Sequence, residues 1–541
     1  MLFNSYIFIF LFLPITLLGF YILREKQATL AKVWLTCFSF WFYGYFNFSY
    51  LTIMLVSIIG NYGIHRQILK KRREKREEAS KIVLILGIVL NLFILFYFKY
   101  YDFFLENVNI VLHTSFPLKG ILLPLGISFF TFQQLSFLVD TYRGELDGCS
   151  FLDYALFVSF FPQLIAGPIV THEEMLPQFQ QIGADKNSGG NAERREITKK
   201  LSDGKIRTKE EGSEYFVRGI YIFVLGLSKK VLLADTFGIA VDYAYANVSS
   251  LNGLESFLVI LFYSIQLYFD FSGYCDMARG IAILFDMKIA TNFESPYQAR
   301  NIVEFWKRWH ITLSRFFTKN IYIPFGGNRK GKIRTYLNYA IVFFLSGLWH
   351  GAGWNFILWG LMHGGLYIIT KMYLDVCKKK MLSFEEKENL QRCDKRREGK
   401  VAEKAVLKLK ESLSVLFTFS YISVAWVYFR ATGISQANEL LGNVFRKGWL
   451  MPGESFLEGF NLGELWYPMK ILKITNLPYA TGYTMIGFLL LSVLIIFCGK
   501  NITQLDKSFK PTVWNACITA VLFLWCVISL SGVSTFLYFN F

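Results

Sequence analysis

Residues 1–22 read MLFNSYIFIFLFLPITLLGFYI, without one charged side chain. About 20 mainly apolar residues let a helix cross the hydrocarbon core of a bilayer. The stretch lacks the basic leader and small-x-small cleavage pattern of a secretion signal, so it is expected to be a retained span. Similar runs recur at roughly 33–47, 50–64, 82–101, 120–139, 151–166, 216–234, 255–271, 336–349, 353–373, 412–430, 482–499 and 513–531. Several are short and are expected to be tilted or re-entrant, leaving about eleven true crossings. A spanning backbone must satisfy its own hydrogen bonds. The expected fold class is therefore all-α: a polytopic transmembrane helical bundle with re-entrant and interfacial helices.

Composition supports this reading. Of 541 residues, 53 % are hydrophobic and only 18 % charged. Soluble domains carry about 25 % charged residues, so a water-soluble, disordered, collagen-like or disulfide-scaffold chain is excluded. Lys and Arg number 57 against 40 Asp and Glu, a net charge of +17. The basic runs lie between apolar ones, as in RQILKKRREKREEASK at 66–81. That is the positive-inside pattern of a membrane protein rather than a nucleic-acid surface. The eight Cys have no metal-ligand or disulfide-framework spacing.

The chain reads as one integral-membrane domain, 1–541, with a polar cytoplasmic insert at 184–214, a basic cytoplasmic segment at 376–410 and an outer loop at 433–480. Both termini are then expected outside. If 120–139 and 151–166 both crossed, the basic insert would fall on the wrong side, so one of the two is expected to be re-entrant. Pro162 and Pro168 bracket a break near the second.

Six His are present. His310, in EFWKRWHITLSRFF, and His350, in FFLSGLWHGAGWNF, sit in apolar, Trp-flanked surroundings. An ionisable side chain is costly there, and His titrates in the range useful for proton transfer. Both are catalytic candidates. Gly347, Gly351 and Gly353 permit close backbone approach. Trp349 walls the region, and Ser346 and Asn355 offer hydrogen bonds for oxyanion or tunnel support. His363 is expected to be a packing residue. The spacing supports no metal site. Arg308, Arg315, Arg329 and Lys330 are candidates for docking a phosphate-bearing or acidic donor; inner-face anchoring explains the same residues.

Seven motifs then run in order. They are FQQLSFLVDTYRG (132–144), FPQLIAGPI (161–169), YFDFSGYCDMARGIA (268–282), NFESPYQARNIVEFWKRWHITLSRFF (292–317), YIPFGGNRKG (322–331), FLSGLWHGAGWNFILWGLMHG (344–364) and WVYFRA (426–431). Together they resemble the membrane-bound O-acyltransferase (MBOAT) family, in the branch of alginate O-acetylation and teichoic acid D-alanyl transfer proteins. The resemblance covers about 30–435. It implies a bundle with a central tunnel, in which a cytoplasmic acyl thioester meets an acceptor from the outer side. The essential His of the family matches His350, and a second motif His matches His310.

The chain ends STFLYFNF, which resembles the FxYxxF-like end of small peptides and relatives that work with this branch. This makes the Tyr538 hydroxyl a candidate acyl carrier; an interfacial aromatic anchor reads equally well. The expected function is transfer of an acyl group, acetyl in the first instance, from a cytoplasmic thioester to a hydroxyl of an exported or cell-wall polysaccharide. The donor is acetyl-CoA or an acyl carrier protein, with no permanently bound cofactor. An extracytoplasmic transferase partner and the inner (cytoplasmic) membrane are implied. The alternative is a lipid or polysaccharide transporter without acyl-transfer chemistry.

Overall fold

A computed structural model describes residues 1–182, 209–388, 400–530 and 536–537. Among the described residues there are helices and no strands, as the all-α reading requires. Six helices among the described residues are long and apolar enough to cross a membrane: Phe8–Lys26, Phe48–Arg73, Glu77–Leu112, Gly253–Leu284, Val406–Arg430 and Ala480–Cys498. Val513–Ser529 is apolar but shorter.

The stretch 151–166 is not one helix. It breaks at Phe160 into Phe151–Ser159 and Phe161–Leu164, the second opening on Pro162. A nine-residue helix rises about 14 Å, under half of a bilayer core of about 30 Å. Neither piece reaches across, whereas Ile127–Arg143 is a continuous 17-residue helix. The 184–214 insert lies largely outside the described residues; the 376–410 segment runs from the end of helix Trp354–Glu388 to the start of helix Lys400–Arg430, with 389–399 outside them. In the 433–480 loop the chain forms Ile434–Arg446 and then short pieces, Glu454–Leu457 and Trp466–Ile471.

The chain packs as two compact units. The first comprises Met1–Asp235, Tyr268–Thr291 and Ile502–Phe541; the second comprises Thr236–Leu267 and Asn292–Asn501. Polar pairs inside the first unit join apolar helices. Asn61 and Asn91 exchange amide hydrogen bonds of 2.6 and 3.1 Å. Gln134 donates to Ser57 and accepts from Tyr154. His172 Nδ1 lies 3.2 Å from the buried Asp140 carboxylate. In an apolar surround such pairs hold helices in one register.

Closest approach in this unit belongs to small residues. Helix Lys209–Ser228 meets the C-terminal half of Gly253–Leu284 through glycines spaced by seven, about two turns. A Cβ on Gly226 would stand 2.6 Å from the Met277 nitrogen and 2.7 Å from the Gly273 oxygen. One on Gly280 would stand 2.6 Å from the Phe223 nitrogen. A larger residue must push the helices apart. Gly226→Val is expected to lower stability by about 1–3 kcal/mol. Gly60→Val, at a position with nothing within 4 Å, is the control. Thermal unfolding in detergent, followed by size-exclusion chromatography, compares the two.

Candidate active site

The second unit holds both candidate histidines. Helix Lys332–His350 ends on His350, and helix Trp354–Glu388 starts after a short glycine-bearing turn. The two helices cross where Gly347 faces Gly360. A Cβ on Gly347 would lie 2.4 Å from the Phe356 oxygen, and one on Gly360 2.4 Å from the Phe343 oxygen. Any side chain at either position would force the backbones apart and carry His350 with them.

Aromatic rings surround the His350 imidazole. Its ring centroid lies 4.8 Å from Trp349, 5.0 Å from Trp359 and 5.1 Å from Phe429. Trp426 stacks on Trp359 at 5.6 Å and packs on Trp309 at 5.0 Å. Trp426 is itself fixed by donating to the Tyr297 hydroxyl, which donates to the Ser264 carbonyl. The shell is therefore built from five separate segments of the chain.

His310 reaches the same place from elsewhere. It lies between helices Ile302–Arg308 and Ile311–Phe317, in the left-handed region at φ 46°. That conformation is uncommon for a residue other than glycine and is often tied to function. The rings of His310 and His350 are 6.5 Å apart, centroid to centroid, and Trp349 lies 6.1 Å from His310. Tertiary structure thus brings together three residues singled out from sequence: His310, Trp349 and His350.

The tautomer of His310 follows from its partner. Asn292 Oδ1 accepts from the backbone N–H of Thr312 at 3.2 Å and from the Thr312 hydroxyl at 2.9 Å. A backbone N–H can only donate, so the oxygen of Asn292 must face this way. The same oxygen lies 3.2 Å from His310 Nδ1. Nδ1 therefore carries the proton, leaving the Nε2 lone pair basic. Burial pushes the His310 pKa down to about 3, so the ring is neutral at physiological pH.

His363 is equally buried but serves packing. Trp306 Nε1 donates to its Nδ1 at 3.3 Å, and Trp359 lies 4.8 Å away. Asn355 commits its amide hydrogens to the carbonyls of Ala431, at 2.8 Å, and Tyr428, at 3.1 Å. Tyr428 lies in the last turn of helix Lys400–Arg430 and Ala431 directly follows it, so Asn355 braces the shell; the expected oxyanion donor is already engaged. Ser346 is buried one turn before His350. Arg308 is ion-paired with Glu304, whereas Arg315, Arg329 and Lys330 are exposed. Tyr538 lies outside the described residues. Among the described residues, no three His, Cys, Asp or Glu side chains converge as metal ligands.

Sequence reasoning missed Asn292, Trp359, Trp426 and Phe429. Asn292 stands in a quoted motif, but no local spacing links it to a histidine 18 residues later.

Fold and site together define a polytopic helical membrane protein with a neutral, buried histidine beside a second one in an aromatic shell. Residues 38–386 match MBOAT, the membrane-bound O-acyltransferase family, and the chain belongs to that family. It is 36 % identical to the peptidoglycan O-acetyltransferase of Helicobacter pylori, over 100 % of this chain and 98 % of the relative. It is 32 % identical to the probable alginate O-acetylase AlgI of Pseudomonas aeruginosa, over 88 % of this chain and 82 % of the relative. The teichoic acid D-alanyltransferase of Bacillus subtilis is 28 % identical, over 45 % of this chain and 57 % of the relative. The protein is thus a multi-pass membrane enzyme, an O-acyltransferase, and the transporter alternative is set aside.

The depressed His310 pKa carries a stability signature. An unfolded His titrates near 6.5, so below that pH the unfolded chain binds a proton that the folded chain refuses. Stability is then flat above about pH 6.5 and falls as pH drops towards 3. His310→Gln is expected to remove up to about 1.4 kcal/mol per pH unit of this slope. Denaturation midpoints between pH 7 and pH 4, wild type against variant, check it.

Proposed function

We propose that this enzyme transfers an acetyl group from a cytoplasmic thioester to a hydroxyl destined for a cell-wall or exported polysaccharide. The observation that carries the reading is the placement of His350 beside neutral His310, inside the family-matched residues. His350 removes the proton of the acceptor hydroxyl as its oxygen attacks the thioester carbonyl. The new C–O bond forms, the C–S bond breaks, and the proton passes to the departing thiolate. A thiolate leaves readily, so the demand on the site is chiefly general-base catalysis, typically worth about 10²–10⁴-fold. Ser346 and the indole N–H of Trp349 flank the reacting region.

Exposed Arg315, Arg329 and Lys330 suit the phosphates of acetyl-CoA or an acidic acyl carrier protein. Tyr538 receives the acyl group first and passes it to an extracytoplasmic partner transferase. The names of the relatives favour acetyl over D-alanyl, because the two compared over most of this chain are both O-acetylating. The inner (cytoplasmic) membrane is where a cytoplasmic thioester and an exported acceptor are both within reach.

Purified wild type and His350→Ala, offered radiolabelled acetyl-CoA and, in parallel, acetylated carrier protein, test the reading. The variant is expected to keep its elution profile and lose transfer by at least about 100-fold. Near-wild-type transfer from it would sink the role of His350. Tyr538→Phe is expected to abolish label on the enzyme itself while thioester hydrolysis continues; label retained on that variant places the acyl group elsewhere.

A further inference from the structure

A carbonyl under attack makes a second demand, beside that for a base. As the acceptor oxygen adds, an electron pair moves onto the carbonyl oxygen, and that oxygen is stabilised by a hydrogen-bond donor already in place. The Asn355 amide, expected for this task, commits its hydrogens to Ala431 and Tyr428. A different donor lies against His350. Trp359 is fully buried, with its ring centroid 5.0 Å from that of His350. Its indole N–H meets no hydrogen-bond acceptor among the described residues.

A buried N–H without an acceptor costs free energy, and folded proteins leave few of them. Two neighbouring indoles obey this rule. Trp306 donates to His363 Nδ1 at 3.3 Å, and Trp426 donates to the Tyr297 hydroxyl at 3.1 Å. Trp359 packs against both, at 5.9 and 5.6 Å between ring centroids, and its own N–H is left over. Packing fixes the ring. Trp426 stacks on it, and His363, about one helical turn on, lies 4.8 Å away. The next residue, Gly360, is where the backbone is pressed against the Phe343 carbonyl. The donor is therefore oriented before any charge develops, which is the condition under which such a contact accelerates a reaction.

We propose that Trp359 is a catalytic residue whose indole N–H donates a hydrogen bond to the acyl carbonyl oxygen as that oxygen gains charge. The acceptor oxygen forms the new C–O bond, and the carbonyl π pair moves onto oxygen, where the indole N–H holds it. The pair then returns to re-form the carbonyl, the C–S bond breaks, and the thiolate leaves with the proton carried by His350. An N–H binds a developing oxyanion more strongly than a neutral carbonyl oxygen, so the contact favours the transition state over the bound substrate. The inference rests on the reading of His350 as the base acting on a thioester at this site.

Trp359→benzothienylalanine, introduced by codon suppression, keeps the shape of the ring and deletes the N–H. Full-length enzyme in detergent is offered acetyl-CoA and, in parallel, acetylated carrier protein, and both acyl transfer and thioester hydrolysis are followed. The two reactions pass through the same oxyanion. The kcat of each is therefore expected to fall by the same factor, about 10²-fold, with KM for the thioester unchanged. Wild-type kcat in the isostere enzyme overturns the proposal. Loss of transfer with hydrolysis intact overturns it too, because the N–H would then act on the acceptor. A raised KM at constant kcat marks binding shared by ground and transition states and overturns it as well. So does an isostere enzyme that elutes as aggregate, since the N–H would then hold the fold. His350→Ala separates the two readings. Transfer that survives it removes the base, and the isostere comparison still decides the donor.

Discussion

The close crossing of two backbones at Gly347 and Gly360 is the constraint on which the site depends. A helix that ends on a buried histidine fixes that side chain only as well as the helix itself is fixed. Here the fixing is steric: a Cβ on either glycine would stand 2.4 Å from a carbonyl oxygen of the other helix. The side chain of Asn355 then ties the start of the second helix to carbonyls at and just past the end of Lys400–Arg430. His350 is held by backbone geometry at one end and by Trp359 and Phe429 on its faces.

The same economy governs charge. An apolar interior disfavours a charged imidazole, and His310 stays neutral for that reason. Its hydrogen bond to Asn292 selects the tautomer that carries the proton on Nδ1. Where charge is kept inside the first unit, it is paired at short range: Lys229 with Asp276, and Lys230 with Asp270 and Asp235. Breaking one partner of such a pair is costly because the other charge remains buried. The histidine region and the carboxylate helix thus meet one problem, charge in an apolar surround, in two ways: by neutrality and by pairing.

Much of the fold was legible in sequence because membrane insertion is a local, compositional demand. The apolar runs at 1–22 and 82–101 appear as helices Phe8–Lys26 and Glu77–Leu112. The break expected between Pro162 and Pro168 appears just before Pro162, splitting 151–166 into pieces too short to cross. His310 and His350 were legible for a related reason: an ionisable ring among Trp and Phe has to be explained. For Asn355 the sequence offered hydrogen bonding for oxyanion or tunnel support, but nothing in its neighbourhood announces that Tyr428 and Ala431 take its hydrogens.

By itself, then, the sequence determined that this chain is helical, membrane-embedded and built around two unusual histidines, because hydropathy and residue cost are properties of short windows. Only the tertiary structure decided which groups face one another. It set Asn292 under His310, drew Trp359, Trp426 and Phe429 around His350, and put Asp270 beneath the Leu537 amide. Each of these pairings joins residues from separate segments, 9 to 267 positions apart. Such distances are closed by helix packing, and packing depends on the shapes of whole helices rather than on any motif within one.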